Sequence, residues 1–271
     1  MNRPSPRLAR AVFCDFDGTI TSEESFLGMF RNFAPEVYRE VGPEMQALRM
    51  TIREGVRRIV DSIPAALYPD ILEYVRTIPI RPGFVELIDY LDSRGVPFIV
   101  ISGGLRGMVE SRLGDLTARV HAIHAPDVDV SGERLRVYSD FERAGELMAK
   151  ADVIARYAPS ESVCVGDGPT DLTMAQAADL VFARDGLARF MEHMKRPYLA
   201  WDDFNDVRVA LNLAGVDRDG APRGTVVALG DVPCPHVLDV IYRHLPSAQP
   251  LADGAPVRVL LGTAEAKQVI N

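Results

Sequence analysis

The chain has 271 residues, is 47% hydrophobic and carries a net charge of −8 at pH 7. That length suits one sizeable domain with an insertion or two modest ones, and the negative field disfavours nucleic acid or an anionic membrane as a partner. No run reaches the ~18 apolar residues of a spanning helix, the N-terminal stretch shows no signal-peptide pattern, and Cys14, Cys164 and Cys234 fit neither a disulfide framework nor a zinc site, so the expectation is a cytoplasmic protein with no membrane partner.

The apolar run 11–16 predicts a buried strand that ends on two aspartates one residue apart, Asp15 and Asp17, followed by Gly18, Thr19 and Thr21. From 22 to 78 the period becomes helical. Phe26, Met29, Phe30 and Phe33 recur at three- and four-residue spacing, then Val37 and Val41, then Ile52, Val56, Ile59, Val60 and Ile63. Pro35, Pro43 and Pro64 punctuate these pieces. A block this long directly after a strand exceeds one crossover and reads as an inserted helical cap. Pro82-Gly83 opens a further helix with Phe84, Leu87, Ile88 and Leu91 on one face, and Arg94-Gly95 closes it. The continuous apolar run 97–101 predicts a buried parallel strand ending in Ser102-Gly103-Gly104. A strand is expected over 119–123, a hairpin over 128–138 around Ser131-Gly132, and a helix over 143–157 that carries Lys150.

The strand expected over 162–165 ends at Gly166-Asp167-Gly168, and a helix over 170–177 has Asp171 in its first turn. A short strand over 180–183 and helices over 186–195 and 203–214 follow, with Trp201 between the helices. Strands alternating with helices predict an α/β fold, a Rossmann-like doubly wound parallel sheet. The expected organisation is a catalytic core over 1–21 and 79–214 and a cap over 22–78. A tail over 215–271, richer in Gly, Pro, Asp and Ala, has no readable role; it is a surface extension or an oligomer contact.

An open parallel sheet gathers its strand ends along one edge, so Asp15-x-Asp17, Ser102-Gly-Gly, Lys150 and Gly166-Asp167-Gly-x-x-Asp171 can converge. Adjacent acids repel unless a cation or shared proton relieves them. Asp15, ionised at neutral pH, can attack phosphorus and form an aspartyl-phosphate. Asp17 can protonate the leaving alcohol and then activate water. Mg²⁺ is the cofactor this acid set suits, with Asp15 and Asp167 as ligands, Asp17 counted with them, and Asp171 acting directly or through water. Thr19, Ser102 and the N–H groups of Gly103 and Gly104 are candidates to bind phosphate, and Lys150 to neutralise its developing charge. The expected partner is a small phosphorylated metabolite. A non-catalytic phosphate-binding protein is the alternative, although binding alone does not require both Asp15 and Asp17.

In this order the motifs resemble the haloacid dehalogenase superfamily of aspartate-nucleophile phosphatases, over residues 11–185. The resemblance implies a Rossmann-like core with a helical cap inserted between the first aspartate motif and the serine motif. Two branches are similar. The stretch from Gly166 to Met174 resembles the fourth motif of phosphoserine phosphatases, and Glu24 stands where those enzymes carry an acid. Their arginine position falls on Ile59, with Arg57 and Arg58 out of phase. The second branch comprises the methionine-salvage phosphatases acting on 2-hydroxy-3-keto-5-methylthiopentenyl 1-phosphate. Asn32-Phe33-Ala34-Pro35, Ile52-Arg53-Glu54-Gly55-Val56, Arg81-Pro82-Gly83-Phe84, the stretch 98–104 and Phe182-Ala183-Arg184-Asp185 look like that branch. Residues 139–150 lack the cysteines associated with it. Phosphoserine needs an acid and an arginine fork, whereas an apolar wall from Met29, Phe33 and Ile59 suits a thioether tail. Glu24, Met29, Phe33 and Ile59 are therefore the candidate specificity residues.

Overall fold

Strand β1 (Arg10–Asp15) occupies the middle of a six-stranded parallel sheet of order β3-β2-β1-β6-β7-β8. The other strands are β2 (Phe98–Ile101), β3 (Ala122–His124), β6 (Glu161–Gly166), β7 (Leu180–Ala183) and β8 (Leu199–Ala200), while β4 (Asp127–Asp129) and β5 (Arg136–Tyr138) form a separate antiparallel hairpin. This is a computed structural model and describes residues 8–143 and 145–213; the tail expected over 215–271 lies outside the described residues.

Side-chain alternation along each strand dictates the layers. Val12 and Cys14 of β1 join one cluster with α5 (Phe84–Arg94) and α10 (Phe204–Leu213), through Phe84, Leu87, Phe204 and Val207. Ala11 and Phe13 face the opposite layer of α7 (Lys150–Tyr157), α8 (Leu172–Ala177) and α9 (Asp185–His193), meeting Val153, Met174 and Leu187. With both faces covered, the strands can be apolar throughout. Each buried aliphatic or aromatic side chain contributes about 1.5–3 kcal/mol. The doubly wound expectation is met, and the strand order reverses between β1 and β6, the place where such sheets open a ligand crevice.

Between β1 and α5 lie four helices, α1 (Ser25–Phe33), α2 (Pro35–Gln46), α3 (Ile52–Val60) and α4 (Tyr68–Arg76). They share their own cluster, which includes Met29, Phe30, Val41, Ile59, Val60, Ile63 and Ile71. Helix α3 starts on a capping box in which Thr51 and Glu54 each satisfy the other's backbone N–H. The β4–β5 hairpin packs on this insertion, not on the sheet. Leu135 and Val137 enter the same cluster, and Leu135 N donates to Ile63 O at 3.0 Å. Where the chain leaves for the insertion and returns from it, the two segments pair: Ser22 N donates to Pro79 O at 3.0 Å and Arg81 N to Ile20 O at 2.8 Å.

Several points differ from expectation. Pro43, expected to break the helical run, lies inside α2, and the strand expected over 119–123 occupies Ala122–His124 after a 3-10 turn over Gly114–Arg119. The helix expected over 143–157 begins only at Lys150. Gly145 has φ +97, outside the helical region, and Ala149 N donates to Phe141 O, so the preceding residues close a loop. Strand β8 was not foreseen; two residues are too few to display a period. No helix among the described residues is long and apolar enough to cross a membrane.

Candidate active site

The parity that turns Ala11 and Phe13 toward α7 carries Asp15 to the same face at the carboxyl end of β1. Register aligns Asp15 with Ile101 of β2 and Cys14 with Val165 of β6, so Ser102 and Gly166-Asp167 emerge beside it on one sheet edge. Helix α7 starts at Lys150, whose side chain is only 2% exposed. Its Nζ donates to Asp15 Oδ1 and, at 2.6 Å, to Asp171 Oδ1. The other Asp171 oxygen accepts from the backbone N–H groups of Asp167 and Gly168, each at 3.0 Å.

After β1 the chain makes a tight turn over 16–20. Gly18 has φ +80, and a Cβ there would lie 2.6 Å from Asp167 Oδ2, so both conformation and space require glycine. Thr21 Oγ1 closes the turn: it accepts from Gly18 N at 3.2 Å and shares its one proton between Glu23 O at 2.8 Å and Phe16 O at 3.1 Å. Thr19 Oγ1 donates to Asp167 Oδ1 at 2.6 Å, joining the two acid-bearing turns. Asp17 is directed elsewhere. Its Oδ1 accepts from Ser25 Oγ and, at 2.9 Å, from Phe26 N, and its Oδ2 accepts from Ser102 Oγ at 3.3 Å.

Asp15, Asp167 and Asp171 offer carboxylate oxygens within 4.8 Å of one another. Asp17, expected among the metal ligands, is not part of this group, because Ser25, Phe26 and Ser102 hold its side chain. Burial raises the Asp15 carboxyl well above the usual carboxylate range, Asp171 adds to the rise and Lys150 opposes it. Asp167 is pushed up to about 6 by burial and by Asp171, against the hydrogen bond from Thr19. Burial also raises Asp17, partly offset by Ser25 and Phe26. For Lys150 burial disfavours the charge, but Asp15 and Asp171 outweigh it and hold the ammonium above its ordinary range. One ammonium thus faces three buried carboxyls. An all-oxygen set with surplus negative charge fits a hard divalent cation such as Mg²⁺.

The remaining expected residues divide. Ser102 is fully buried, and its Oγ accepts from Gly104 N at 2.9 Å, so that N–H is already committed. Beside Gly103 the space is open, since a Cβ there would meet nothing within 4 Å. Glu24 is solvent-accessible yet near the acids. Burial of its carboxyl, with Asp167, Asp17 and Asp171 close by, pushes it up to about 7. Met29 and Ile59 have no exposed surface and belong to the core of the insertion, which corrects their placement on an apolar wall. Only Phe33 is partly exposed, edge-on to Tyr74 at 6.0 Å. Arg57 pairs with Glu142 and Arg58 with Glu40, so both guanidiniums are committed to protein acids.

Sequence reasoning missed Ser25 and Phe26, which grip Asp17, and the contacts of Arg81, whose Nε and Nη2 donate to the carbonyls of Thr19 and Gly18. Ser25 directly precedes the first periodic apolar residue, an N-terminal helix signal that marks where its hydroxyl would stand.

A family model for haloacid dehalogenase-like hydrolases matches residues 12–176, and the chain belongs to that family of enzymes. A 2-hydroxy-3-keto-5-methylthiopentenyl-1-phosphate phosphatase of Microcystis aeruginosa (strain NIES-843) is 45% identical over 208 residues, covering 76% of this chain and 99% of that protein. A protein of the same name from Brevibacillus brevis is 32% identical over 204 residues, covering 72% and 92%. In fold, the chain is similar to the crystal structure of phosphoserine phosphatase from T. onnurineus, with TM-score 0.58, 16% identity and 78% and 98% of the two chains covered.

Proposed function

We propose that this protein is a Mg²⁺-dependent phosphomonoesterase that uses an aspartyl-phosphate intermediate and acts on 2-hydroxy-3-keto-5-methylthiopentenyl 1-phosphate. The observation that carries the chemistry is the buried Lys150 ammonium bridging Asp15 and Asp171, with Asp17 held separately by Ser25 and Phe26. This separates two tasks. Asp15, whose anionic form the Lys150 ammonium favours against burial and Asp171, attacks phosphorus and becomes the phosphorylated side chain. Asp17, raised by burial and kept out of the acid cluster, gives its proton to the departing alkoxide and then takes one from the attacking water. Lys150 and the Gly103 N–H supply positive charge and a donor for the phosphoryl oxygens, while the hydroxyls of Ser102 and Thr19 are given to Asp17 and Asp167. Asp15, Asp167 and Asp171 are the residues that would hold Mg²⁺. When bound, the ion offsets negative charge on the phosphoryl group.

For the substrate, the reading is supported by the name of the 45%-identical relative, which this chain spans almost end to end. The commitment of Arg57 and Arg58 to Glu142 and Glu40 agrees with it, since a phosphoserine carboxylate would need a free arginine fork. The partly exposed Phe33 is the candidate contact for the methylthio tail. The chemistry is tested with a generic aryl phosphate. Wild type should turn it over with Mg²⁺ and lose activity in EDTA. Asp15→Asn should lose many orders of magnitude, because uncatalysed phosphate-monoester hydrolysis is among the slowest reactions known. An Asp15→Asn variant retaining more than about a tenth of wild-type kcat, within ~1.4 kcal/mol, would show that another group forms the covalent bond.

A further inference from the structure

Arg81 takes no part in the steps above, yet it is bonded to the turn those steps depend on. It stands where the chain returns from the helical insertion, and its backbone N–H donates to Ile20 O at 2.8 Å. Its side chain reaches further into the core. Nε donates to Thr19 O at 3.0 Å and Nη2 to Gly18 O at 2.6 Å. A guanidinium presents its donors as a rigid planar fork, so it holds two successive carbonyls together where an ammonium acts as a point. In a trans peptide the C=O and the following N–H point in opposite directions. Fixing the carbonyls of Gly18 and Thr19 therefore aims the N–H groups of Thr19 and Ile20 away from Arg81. The same turn carries Asp17 and directs Thr19 Oγ1 onto Asp167.

Trp201, 3% exposed, extends this brace to the second acid-bearing turn. The guanidinium carbons of Arg81 and Arg184 lie 5.5 and 5.3 Å from its ring centroid. Its Nε1 donates to Gly166 O at 3.4 Å, directly before Asp167, and Arg184 N donates to the same carbonyl at 3.3 Å. Two guanidiniums over one indole repel each other; Arg184 is paired with Asp185 at 2.8 Å, and the ring face attracts both. The two carbonyls on the Asp17 turn and the one before Asp167 are thus held by one connected group of side chains.

We propose that Arg81 is a positioning residue for the reaction, acting through the Gly18 and Thr19 peptides on the turn that bears Asp17 and Thr19, with Trp201 as the platform that keeps its fork aimed. Its kinetic readout rests on the phosphatase reading. Misplacing reacting groups by about an ångström can cost about a hundredfold in rate, whereas a merely structural arginine would lower the unfolding temperature and leave turnover of the folded enzyme intact. The test compares wild type, Arg81→Ala, Arg81→Lys and Trp201→Phe on an aryl phosphate at saturating Mg²⁺. Arg81→Ala should lose about ten- to a hundredfold in kcat with KM little changed, and added guanidinium ion should restore most of the loss. Arg81→Lys, which keeps the charge but not the fork, should stay slow. Trp201→Phe should lose kcat in the same direction but by less. Turnover of Arg81→Ala close to wild type, or a loss that guanidinium does not relieve, would overturn the proposal. If Arg81→Ala does not fold, Arg81→Lys decides by the same kcat-against-KM split. Should wild type show no phosphatase activity, it is the phosphatase reading that fails. Amide hydrogen exchange then tests Arg81 alone: faster exchange across 16–20 in Arg81→Lys supports the brace, and unchanged exchange overturns it.

Discussion

At the residue scale, the site is a problem of surplus negative charge in a dry place. Asp167 is pushed from its ordinary value of 3.8 up to about 6, so the metal-free fold binds this proton more tightly than the unfolded chain does. That contribution to stability is complete below the unfolded value and is lost as pH rises through about 6. Mg²⁺ competes for the same oxygens and should reverse the loss. Ligand at a hundredfold excess over its Kd stabilises by about 2.7 kcal/mol, so Mg²⁺ should raise the unfolding temperature clearly at pH 7.5 and much less at pH 5. Asp167→Asn should remove most of the shift; an equal shift at both pH values, or in that variant, would contradict the ligand assignment. Gly18 allows a second test. Alanine there must adopt φ near +80 and place its Cβ 2.6 Å from Asp167 Oδ2. Strain of this kind costs about 1–3 kcal/mol, so Gly18→Ala should lower both unfolding temperature and kcat, measured by thermal denaturation and steady-state assay.

At the element scale, each strand-end signal alone reads as an ordinary turn, and the sequence points to a shared site only because several stand in an order that a parallel sheet gathers along one edge. Asp15 ends β1, and Ser102 and Asp167 follow β2 and β6 on the strands to either side, as the parallel-sheet rule requires. What the periodicity could not reveal was which apolar faces point inward on the insertion. Met29 and Ile59 lie on helix faces that meet other helices, so they pack the insertion instead of lining an open wall. Truncating a buried isoleucine to alanine costs about 2–5 kcal/mol. Ile59→Ala should therefore lower the unfolding free energy measured by chemical denaturation by that order, with the same fractional effect on KM for aryl phosphate and for the methylthio substrate. A selective rise in KM for the methylthio substrate would return Ile59 to the pocket. The start of α7 was misread because apolar spacing continues through residues 143–149, while the loop there is set by Gly145 at φ +97 and the Phe141–Ala149 hydrogen bond. The sequence presents Arg81 only as part of a branch-like segment for a related reason: its contacts are backbone carbonyls 62 and 63 residues away, across the insertion, and no local pattern encodes that.

At the scale of the whole molecule, the reversal of strand order between β1 and β6 places the acids, and the four-helix insertion stands between the motif that carries Asp15 and the one that carries Ser102. In the proposed reading the sheet edge recognises what all phosphate monoesters share and the insertion recognises what differs. An apolar tail gains about 25 cal/mol per Å² of surface buried, and that gain should appear in kcat/KM for the correct substrate alone. The most direct test of the account is therefore to compare kcat/KM of the purified protein, with Mg²⁺, on 2-hydroxy-3-keto-5-methylthiopentenyl 1-phosphate and on phosphoserine. The account predicts a preference for the methylthio substrate of at least about a hundredfold, ~2.7 kcal/mol in transition-state binding. Equal or faster hydrolysis of phosphoserine, or no hydrolysis of the methylthio substrate, would contradict it.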